Sequence, residues 1–377
     1  MHIHPPAEAL DRAHALPAHF YVDSAMADIE HDCVFARSWQ LVAHAGQLAE
    51  SGDHVVEAIG KMPVLIVRGH DGVLRAFANV CRHRAGPLAL CNGKGARALH
   101  CKYHGWTYAL DGQLRSAPEM QGARDFNVGD IRLPALRVHE WQGLVFVAIS
   151  AETPAFDEVY AGIIERIAPI DLSAMRFERR ETYDIACNWK VYVDNFLEGY
   201  HLPHVHPGLS KVLDYRAYDT ELFAWQSLQS SPLRDGGEIY GEGEAFYYQI
   251  YPNIMLNIMP GRLQTNRILP LGVERCRVEF DFYYAQDDKA QSRIARDAEF
   301  SDEVQMEDVS ICEAVQRGLA SGSYEGGRLC PKRESGVWHF HNLLRAAYAG
   351  AADGSDPAAK SISVSTPALQ PSLGGRR

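Results

Sequence analysis

The sequence predicts an α+β protein in which a small all-β domain precedes a larger domain built from an antiparallel sheet and helices. Residues 53–114 alternate short apolar runs with the turn dipeptides Asp71-Gly72 and Asp111-Gly112, a pattern typical of β-hairpins. From about residue 157 onward, strand-like and helix-like stretches are mixed. The length of 377 residues is sufficient for two domains of ordinary size, each with its own core.

We divide the chain into four parts. Residues 1–36 are predicted to form an N-terminal arm with a helix, and residues 37–150 the all-β domain. Residues 151–348 form the second domain. Residues 349–377 are rich in Ala, Gly, Ser and Pro and contain few large apolar side chains, which predicts a disordered tail.

Each element follows from the periodicity of its apolar residues. The strands predicted in the first domain are Val55–Ile59, Val64–Val67, Leu74–Val80, Trp106–Leu110 and Leu144–Ile149. In the second domain, strands are predicted over Glu181–Ala186 and Glu274–Tyr284, and helices over Trp189–His201 and Asp287–Ala320.

Composition excludes several classes of protein. The formal net charge of −11 and the pI near 5.8 disfavour binding to nucleic acid or to an anionic membrane, which relies on clustered Lys and Arg. The sequence contains no secretory signal and no run of about 18 apolar residues that could span a bilayer. The eight cysteines are scattered along the chain, which favours reduced thiols and a cytoplasmic location.

Two short loops of the all-β domain each carry one cysteine and one histidine. The candidate ligands are Cys81, His83, Cys101 and His104. Two thiolates and two imidazoles are the ligand set of a Rieske [2Fe-2S] cluster, which transfers single electrons. The alternative is a structural zinc site. We favour the cluster because zinc fingers usually pair Cys with Cys, and because Gly86 and Gly105 follow where the chain must fold tightly.

A second group of metal-binding side chains lies in residues 188–207. If the predicted helix reaches His201, then Asp194, Glu198 and His201 share one face. The prolines that follow turn the chain out of the helix, so that His206 can approach a metal held by His201. His204 is the rival of His206. Asp194 and Glu198 are predicted to support the ligands, with helix capping or solvation as the alternative.

Two imidazoles suit a ferrous iron that needs one carboxylate more, and Asp308 is the candidate. It lies on a predicted helix in a stripe of apolar residues, which is costly for a carboxylate without a cationic partner. The stripe comprises Val304, Ile311, Val315 and Leu319. The alternative is an ion pair with a neighbouring Arg or Lys. Glu307 is expected to point outward.

At these residues the chain resembles the Rieske non-haem iron oxygenases, and specifically their choline monooxygenase branch, over roughly residues 20–344. The motifs that carry the resemblance are Cys81-x-His83 with Cys101-x-x-His104, Asn188-Trp189-Lys190 through His206, residues 301–308, Cys312-Glu313, residues 315–319, and His339-Phe340-His341.

The resemblance implies that His201, His206 and Asp308 hold a mononuclear Fe(II), and that the second domain is a helix-grip fold, an antiparallel sheet wrapped around a long helix. Relatives of this kind are typically homotrimers in which Glu198 would link His201 to His104 of a neighbouring subunit. The implied reaction inserts one oxygen atom of O2 into a substrate C–H bond. Electrons would come from NAD(P)H through a separate ferredoxin or flavin reductase, because the sequence has no nucleotide-binding glycine motif.

The implied substrate is choline or a related quaternary amine such as betaine or carnitine, which aromatic faces bind through cation–π contacts. The candidate pocket residues are Tyr200, Trp225, Tyr247 and Tyr251, with ordinary core packing as the alternative for each. Tyr247 and Tyr251 would share one face of a strand.

Two other functions remain open on the sequence. One is hydroxylation or demethylation of an aromatic acid, which requires a buried cation near the iron, with Arg262 and Arg267 as candidates. The other is a non-catalytic electron carrier whose second domain is regulatory.

Overall fold

The structure, a computed structural model, describes residues 8–234, 240, 242–287 and 290–353. Most of the predicted tail, from residue 354 on, lies outside the described residues. The first five residues of that tail are helical instead, because the last helix runs to Asp353. Within the described part of the chain, no helix is both long and apolar enough to cross a membrane.

The described N-terminal arm contains two helices, α1 (His19–Val22) and α2 (Ala25–Cys33). The strands that follow are β1 (Gln40–His44), β2 (His54–Ile59), β3 (Met62–Arg68), β4 (Leu74–Ala78), β5 (Leu99–His100), β6 (Thr107–Tyr108), β7 (Leu114–Ser116), β8 (Ala135–Trp141) and β9 (Leu144–Ala148). They form an antiparallel sheet of order β1-β9-β8-β4-β3-β2 and a three-stranded sheet β5-β6-β7.

The five strands predicted here are present, but one is much shorter than expected. The strand predicted over Trp106–Leu110 is the two-residue β6, because a turn already begins at Ala109. The carbonyl of Ala109 accepts a hydrogen bond from the N–H of Gly112 at 3.0 Å, and Gly112 has a φ of +84° that only glycine adopts readily. The small sheet β5-β6-β7 thus forms around the second Cys-His loop.

The second domain is built on one antiparallel sheet. Its helices are α3 (Phe156–Val159), α4 (Ile163–Ile167), α5 (Trp189–Phe196), α6 (Leu202–Val205), α7 (Leu209–Val212), α8 (Ala290–Ala320) and α9 (Ser335–Asp353). Its strands are β10 (Arg176–Ile185), β11 (Asp219–Leu222), β12 (Gln226–Pro232), β13 (Glu244–Ile250), β14 (Ile254–Met259), β15 (Arg262–Gly272) and β16 (Arg275–Tyr284). The strand order is β10-β16-β15-β14-β13-β12-β11.

An antiparallel sheet of seven strands with the 31-residue helix α8 confirms the predicted α+β class. The largest core cluster joins the sheet to helices α2, α5 and α9, with Trp189 and Phe340 packed edge to face and both fully buried. Helices α5 and α8 both contribute side chains to this core, and the two helices also contact each other.

The predicted helix over Trp189–His201 is wrong in its second half. Helix α5 ends at Phe196, and His201 is instead the N-cap of the short helix α6. Gly199 lies in the intervening turn, where a Cβ atom would come within 2.8 Å of the ring of Tyr218. Asp194 and Glu198 therefore do not share a helical face with His201.

The two domains are joined by a buried arginine. Arg267 on β15 is 4% exposed and donates to the carbonyl of Leu41 on β1 at 2.8 Å and to Glu57 on β2 at 3.2 Å. It also pairs with Glu279 on β16. A buried cation needs such partners, so this contact fixes the all-β domain against the larger sheet.

Candidate metal centres and substrate cavity

The two Cys-His loops of the all-β domain close in the same way. The N–H of Cys81 donates to the carbonyl of Gly86 at 2.8 Å, and the N–H of Cys101 donates to the carbonyl of Trp106 at 2.9 Å. These matching bonds give each loop the same compact shape. The two loops can therefore approach a common ligand as a pair.

Each loop also has one residue in the left-handed region, which sharpens its turn. In the second loop this is Gly105 with φ +74°, as the sequence predicts. In the first loop it is Ala85 with φ +57°, one residue before the predicted Gly86. Gly86 has a different role, since a Cβ there would lie 2.9 Å from the sulfur of Cys101. Glycine thus allows the backbone to pass close to a ligand atom.

The four candidate ligands converge at the tip of the domain. The Nδ1 atoms of His83 and His104 are 3.2 Å apart, and both histidines are exposed. Cys81 and Cys101 are buried, at 3% and 2% exposure. Loss of hydration, then the nearby His83 and the positive charge of Arg84, lower the pKa of His104, which favours the neutral imidazole that binds metal.

The geometry at the tip distinguishes a binuclear cluster from a single zinc ion. One tetrahedral zinc would bring its donor atoms within about 4 Å of one another. No three of the four candidate donors lie within 4.8 Å of one another, in a search that covered the described residues. Two sulfurs on one side and two imidazoles on the other suit a cluster with two irons.

The second group of ligands is brought together between helices α6 and α8. His201, His206 and Asp308 are the one set among the described residues whose three donor atoms lie within 4.8 Å of one another. Nε2 of His206 is 3.0 Å from Oδ1 of Asp308, and Nε2 of His201 is 3.9 Å from the same oxygen. Two imidazoles and one carboxylate are the donors of a non-haem ferrous site with open positions.

Each of these histidines is oriented by a glutamate. Nδ1 of His201 contacts Oε1 of Glu198 at 2.6 Å, and Nδ1 of His206 contacts Oε2 of Glu307 at 2.7 Å. With the proton on Nδ1, the Nε2 lone pair of each ring faces Asp308 and is free for a metal. The other oxygen of Glu198 accepts the backbone N–H of His201 at 3.0 Å, which fixes the turn that begins α6.

Several predictions about this group are now settled. Glu307 does not point outward as predicted, because its carboxylate turns back to His206. His204 is exposed, whereas His206, the C-cap of α6, is buried. Asp308 has no ion pair with Arg or Lys among the described residues, and accepts instead from Nδ2 of Asn195 at 2.6 Å.

The apolar stripe predicted around Asp308 is only partly buried. Leu319 is 7% exposed, but Ile311 is 37% and Val315 is 45% exposed. Both lie beside a second, open cavity of about 500 Å³ that reaches His201 and Glu198 from the protein surface.

Asp194 lies in a different network from the one predicted. Its Oδ2 accepts the hydroxyl of Tyr21 at 2.6 Å, and its Oδ1 is 2.9 Å from Nε2 of His341. His341 is fully buried and Tyr21 nearly so. These bonds connect the N-terminal arm, α5 and α9 at the wall of the open cavity.

The neighbouring carboxylates Asp308 and Glu307 change the pKa of His206. Burial lowers its pKa, but Asp308 and then Glu307 raise it, so that the pKa lies above its ordinary value. A metal and a proton compete for the same ring nitrogen. The carboxylates that favour a proton on His206 also favour a divalent cation at this position.

His201, His206 and Asp308 also line a smaller cavity of about 110 Å³. Seven aromatic side chains line it: Tyr192, Phe196, Tyr218, Tyr240, Tyr247, Phe280 and Phe300. The remaining wall contains aliphatic side chains, the charged Glu198 and Arg262, and several amides, two of them Asn257 and Gln305. The cavity is therefore small, largely aromatic and immediately adjacent to the proposed ligands.

Of the four predicted pocket residues, only Tyr247 lines this cavity. Tyr200 is 49% exposed and points away, although it is next to His201. Trp225 donates to Glu158 at 3.0 Å. Tyr251 packs in the core against Phe340, because β13 ends at residue 250 and the alternation of faces stops there.

The sequence missed most of the aromatic wall because its members come from four different helices and strands and from two loops. Tyr192 could have been found from helical spacing, because it lies on α5 three residues before Asn195, which also lines the cavity. Tyr218 and Tyr240 lie in loops whose path is set by tertiary structure.

The cations proposed for an aromatic acid are both paired. Arg262 does line the cavity, but its Nε donates to Asp297 at 2.6 Å, and both residues are buried. Arg267 lies at the domain boundary and does not line the cavity.

Fold and site together define a class of protein, the Rieske non-haem iron oxygenases. The family profile described as Rieske [2Fe-2S] domain matches residues 38–133, and that described as ring hydroxylating alpha subunit (catalytic domain) matches residues 172–350. The chain is thus an oxidoreductase with an iron–sulfur domain and a catalytic iron domain.

Curated relatives define the group more closely. The chain is 38% identical to the chloroplastic choline monooxygenase of Arabidopsis thaliana over 361 residues, 90% of this chain and 84% of the relative. It is 31% identical to the carnitine monooxygenase oxygenase subunit of Escherichia coli K12, over 88% of this chain and 93% of the relative. The chain belongs to the Rieske oxygenase family that contains these two enzymes.

Solved structures agree with this assignment. A quaternary ammonium Rieske monooxygenase superposes with a TM-score of 0.82 at 28% identity, covering 90% of this chain and 96% of that one. Naphthalene 1,2-dioxygenase from Rhodococcus sp., at 17% identity and a TM-score of 0.72, shares the fold over 89% of this chain and 94% of that one.

Proposed function

We propose that the protein is a monooxygenase that hydroxylates a C–H bond of a small quaternary amine. It would use O2 and electrons supplied from NAD(P)H by a separate reductase. The observation that carries this proposal is the position of His201, His206 and Asp308 at a cavity with seven aromatic side chains in its wall. The named activities of the choline and carnitine monooxygenases support it.

The residues of the chain fit the two metal centres that the family requires. Cys81, His83, Cys101 and His104 would hold the [2Fe-2S] cluster, and His201, His206 and Asp308 the ferrous ion. When bound, these metals supply one-electron storage and the activation of O2.

The surrounding side chains prepare the iron site. Glu198 and Glu307 keep Nε2 of both histidines directed to one point, and Asn195 holds the Asp308 carboxylate. Ligand histidines oriented in this way typically bind metal about 10- to 100-fold more tightly than unsupported ones. Glu198 and Glu307 are therefore positioning groups in this proposal, whereas Asp194 bonds to Tyr21 and His341.

The cavity wall favours a cation that cannot donate hydrogen bonds. A trimethylammonium group has no N–H, so aromatic faces are its best partners, each contributing on the order of 0.5–2 kcal/mol. Tyr240 and Tyr247 lie with Phe300 on the same cavity. An aromatic carboxylate is less well suited, because the charge of Arg262 is already balanced by Asp297.

Purified protein, reductase, NADH and choline test this proposal. We expect consumption of choline, with betaine and carnitine as the next substrates to try. Asp308→Ala is the control, because it removes a proposed iron ligand but leaves the distant cluster loops unchanged. If none of the three amines is consumed while an aromatic acid is, the aromatic-acid alternative replaces this proposal.

We further propose that electrons pass between subunits of a homotrimer. Support comes from the exposed position of His83 and His104 and from the open cavity that leads to Glu198. The apolar side chains of Ile311 and Val315 at its edge suit a protein neighbour. In the related quaternary ammonium Rieske monooxygenase, electron transfer is inter-subunit.

The particle mass in solution tests the trimer, and it should be about three times the 42.0 kDa of one chain.

Mixed oligomers test the route of the electrons. Subunits carrying His104→Ala lack an intact cluster site, and subunits carrying Asp308→Ala lack an intact iron site. Co-expression of the two is expected to restore part of the activity, and a mixture as inactive as either variant would contradict transfer between subunits.

The reductase and the compartment complete the proposal. A ferredoxin or flavin reductase would dock near the exposed His83 and His104. A cytoplasmic location suits Cys81 and Cys101, because a reducing compartment keeps cysteines free of disulfides and available to bind iron.

A further inference from the structure

One amide in the aromatic cavity has an unpaired nitrogen. Gln305 is 2% exposed and lines the cavity. Its Oε1 accepts the hydroxyl of Tyr192 at 2.6 Å, but its Nε2 has no hydrogen-bond partner among the described residues. A buried N–H without a partner is costly, so a polar group of a ligand is its natural partner.

The place of Gln305 on α8 puts this amide beside the metal ligands. It precedes Asp308 by three residues, and residues three apart lie on the same face of a helix. A polar group held by Gln305 would therefore be at the iron end of the substrate, not at its far end.

Asn257 on β14 supplies the complementary atom. Its Oδ1 is buried without a partner among the described residues, and Asn257 lines the same cavity. One amide thus offers a donor and the other an acceptor. A hydroxyl is the simplest group that accepts one hydrogen bond and donates another.

A carboxylate at this end of the substrate would be poorly matched. Arg262 is the one Arg or Lys on the cavity wall in the described part of the chain. Its Nη2 donates to Gln264 at 2.5 Å, and its charge is balanced by Asp297, which also accepts the hydroxyl of Tyr240 at 2.7 Å. A substrate carboxylate would meet no unpaired positive charge there.

We propose that Gln305 and Asn257 bind the hydroxyl group of a quaternary amino alcohol and present its hydroxyl-bearing carbon to the iron. This rests on the proposed function and deepens it. The trimethylammonium group then lies against the aromatic wall, and a C–H bond of the CH2OH carbon is broken.

The reaction balances with the co-substrates already named. R–CH2OH, O2, two electrons and two protons give R–CH(OH)2 and water. The electrons come from the reductase, and one oxygen atom of O2 becomes the second hydroxyl. The diol then loses water to give the aldehyde, so that choline yields betaine aldehyde and no formaldehyde.

Two substrates of the same size and charge test the role of the hydroxyl. Ethyltrimethylammonium is choline with hydrogen in place of the hydroxyl. For the unaltered protein we expect kcat/KM to be about tenfold or more higher for choline, the effect of hydrogen bonds that only the alcohol can make. Glycine betaine and carnitine should be poorer than choline by a similar factor.

Gln305→Met keeps the shape of the side chain and removes its amide. We expect a loss of about tenfold in kcat/KM for choline and less than twofold for ethyltrimethylammonium. Asn257→Leu should act in the same direction. Gln316→Met is the matched control, because Gln316 on the same helix is also buried with an unpartnered Nε2, but does not line the cavity.

The outcomes separate two kinds of failure. If no quaternary amine is oxidised, the proposed function itself is wrong. If quaternary amines are oxidised but choline and ethyltrimethylammonium are equivalent in the unaltered protein, only the role of Gln305 and Asn257 is overturned. Formaldehyde as the main product from choline, equal losses for both substrates in Gln305→Met, or a changed ratio in Gln316→Met would also overturn it.

Discussion

The two sets of metal ligands use similar side chains in opposite surroundings. His83 and His104 are exposed at the tip of the all-β domain, whereas His206 is 1% exposed and His201 is 17% exposed between two cavities. The first pair is held by short loops with matching backbone bonds. The second pair, His201 and His206, is held by the carboxylates of Glu198 in a turn and Glu307 on α8.

This difference follows from what each centre must do. An electron can leave a cluster whose histidines lie at the surface, provided that an acceptor comes close. Insertion of oxygen requires a substrate held in a fixed position and shielded from water, which only an enclosed cavity provides. Exposure therefore suits the electron donor, and burial suits the site of oxidation.

The largest expected effect is at the buried centre. Asp308→Ala removes the carboxylate that faces both histidines, so product formation should fall on the order of 10³-fold or more. Iron should fall from about three to about two atoms per chain, with the absorbance of the cluster unchanged. Full activity in this variant would remove the distinction between the two centres.

The complementary change is at the exposed centre. His104→Ala removes one cluster ligand, so the cluster should be lost and iron should fall from about three to about one atom per chain. Turnover with the reductase should stop, but binding of choline should persist because the cavity is untouched. Loss of substrate binding, measured by calorimetry, would mean that the two regions are not separable.

A smaller effect is expected for the glutamate that orients His206. Glu307→Gln replaces the carboxylate at 2.7 Å from Nδ1 and should weaken iron binding by about 10- to 100-fold. Added ferrous ion should restore most of the activity. Glu303→Gln on the exposed face of the same helix is the control, and equal losses in the two variants would indicate a general effect on α8.

The smallest effect concerns a buried histidine that binds no metal in this account. Burial, opposed by a hydrogen bond to the backbone of Phe223, lowers the pKa of His339 from 6.5 to about 4. Between these values the unfolded chain binds a proton that the folded chain does not, so the free energy of unfolding falls as the pH falls.

Urea unfolding at pH 7 and pH 5 measures this contribution, which should be about 2 kcal/mol. His339→Gln should reduce the pH dependence by that amount. The exposed His70→Gln should not change it. An unaltered pH dependence in His339→Gln would show that this histidine does not titrate as described.

The parts predictable from sequence were those fixed by local spacing. The two Cys-His loops, the strands around them, and the His201, His206 and Asp308 set were all expected, because short motifs and helical periodicity depend on neighbours in the chain. The long helix α8 was also expected to within a few residues.

The predictions that were wrong concern features that depend on residues far apart in the sequence. Glu307 was expected to face solvent. Its carboxylate instead contacts Nδ1 of His206, which is about a hundred residues away in the sequence. The aromatic wall is assembled from helices, strands and loops that are far apart in the sequence, so only Tyr247 was identified in advance. Helix α5 ends at Phe196, and Gly199 in the turn that follows lies against the ring of Tyr218, which comes from a distant part of the chain.

The most direct test of the two-centre account is a single turnover without reductase. The cluster is reduced anaerobically, the excess reductant is removed, and O2 is added together with choline. The account predicts that oxidation of the cluster and formation of betaine aldehyde proceed together, and that Asp308→Ala forms none. Product formation in Asp308→Ala, or an oxidised cluster with no product in the unaltered protein, would contradict it.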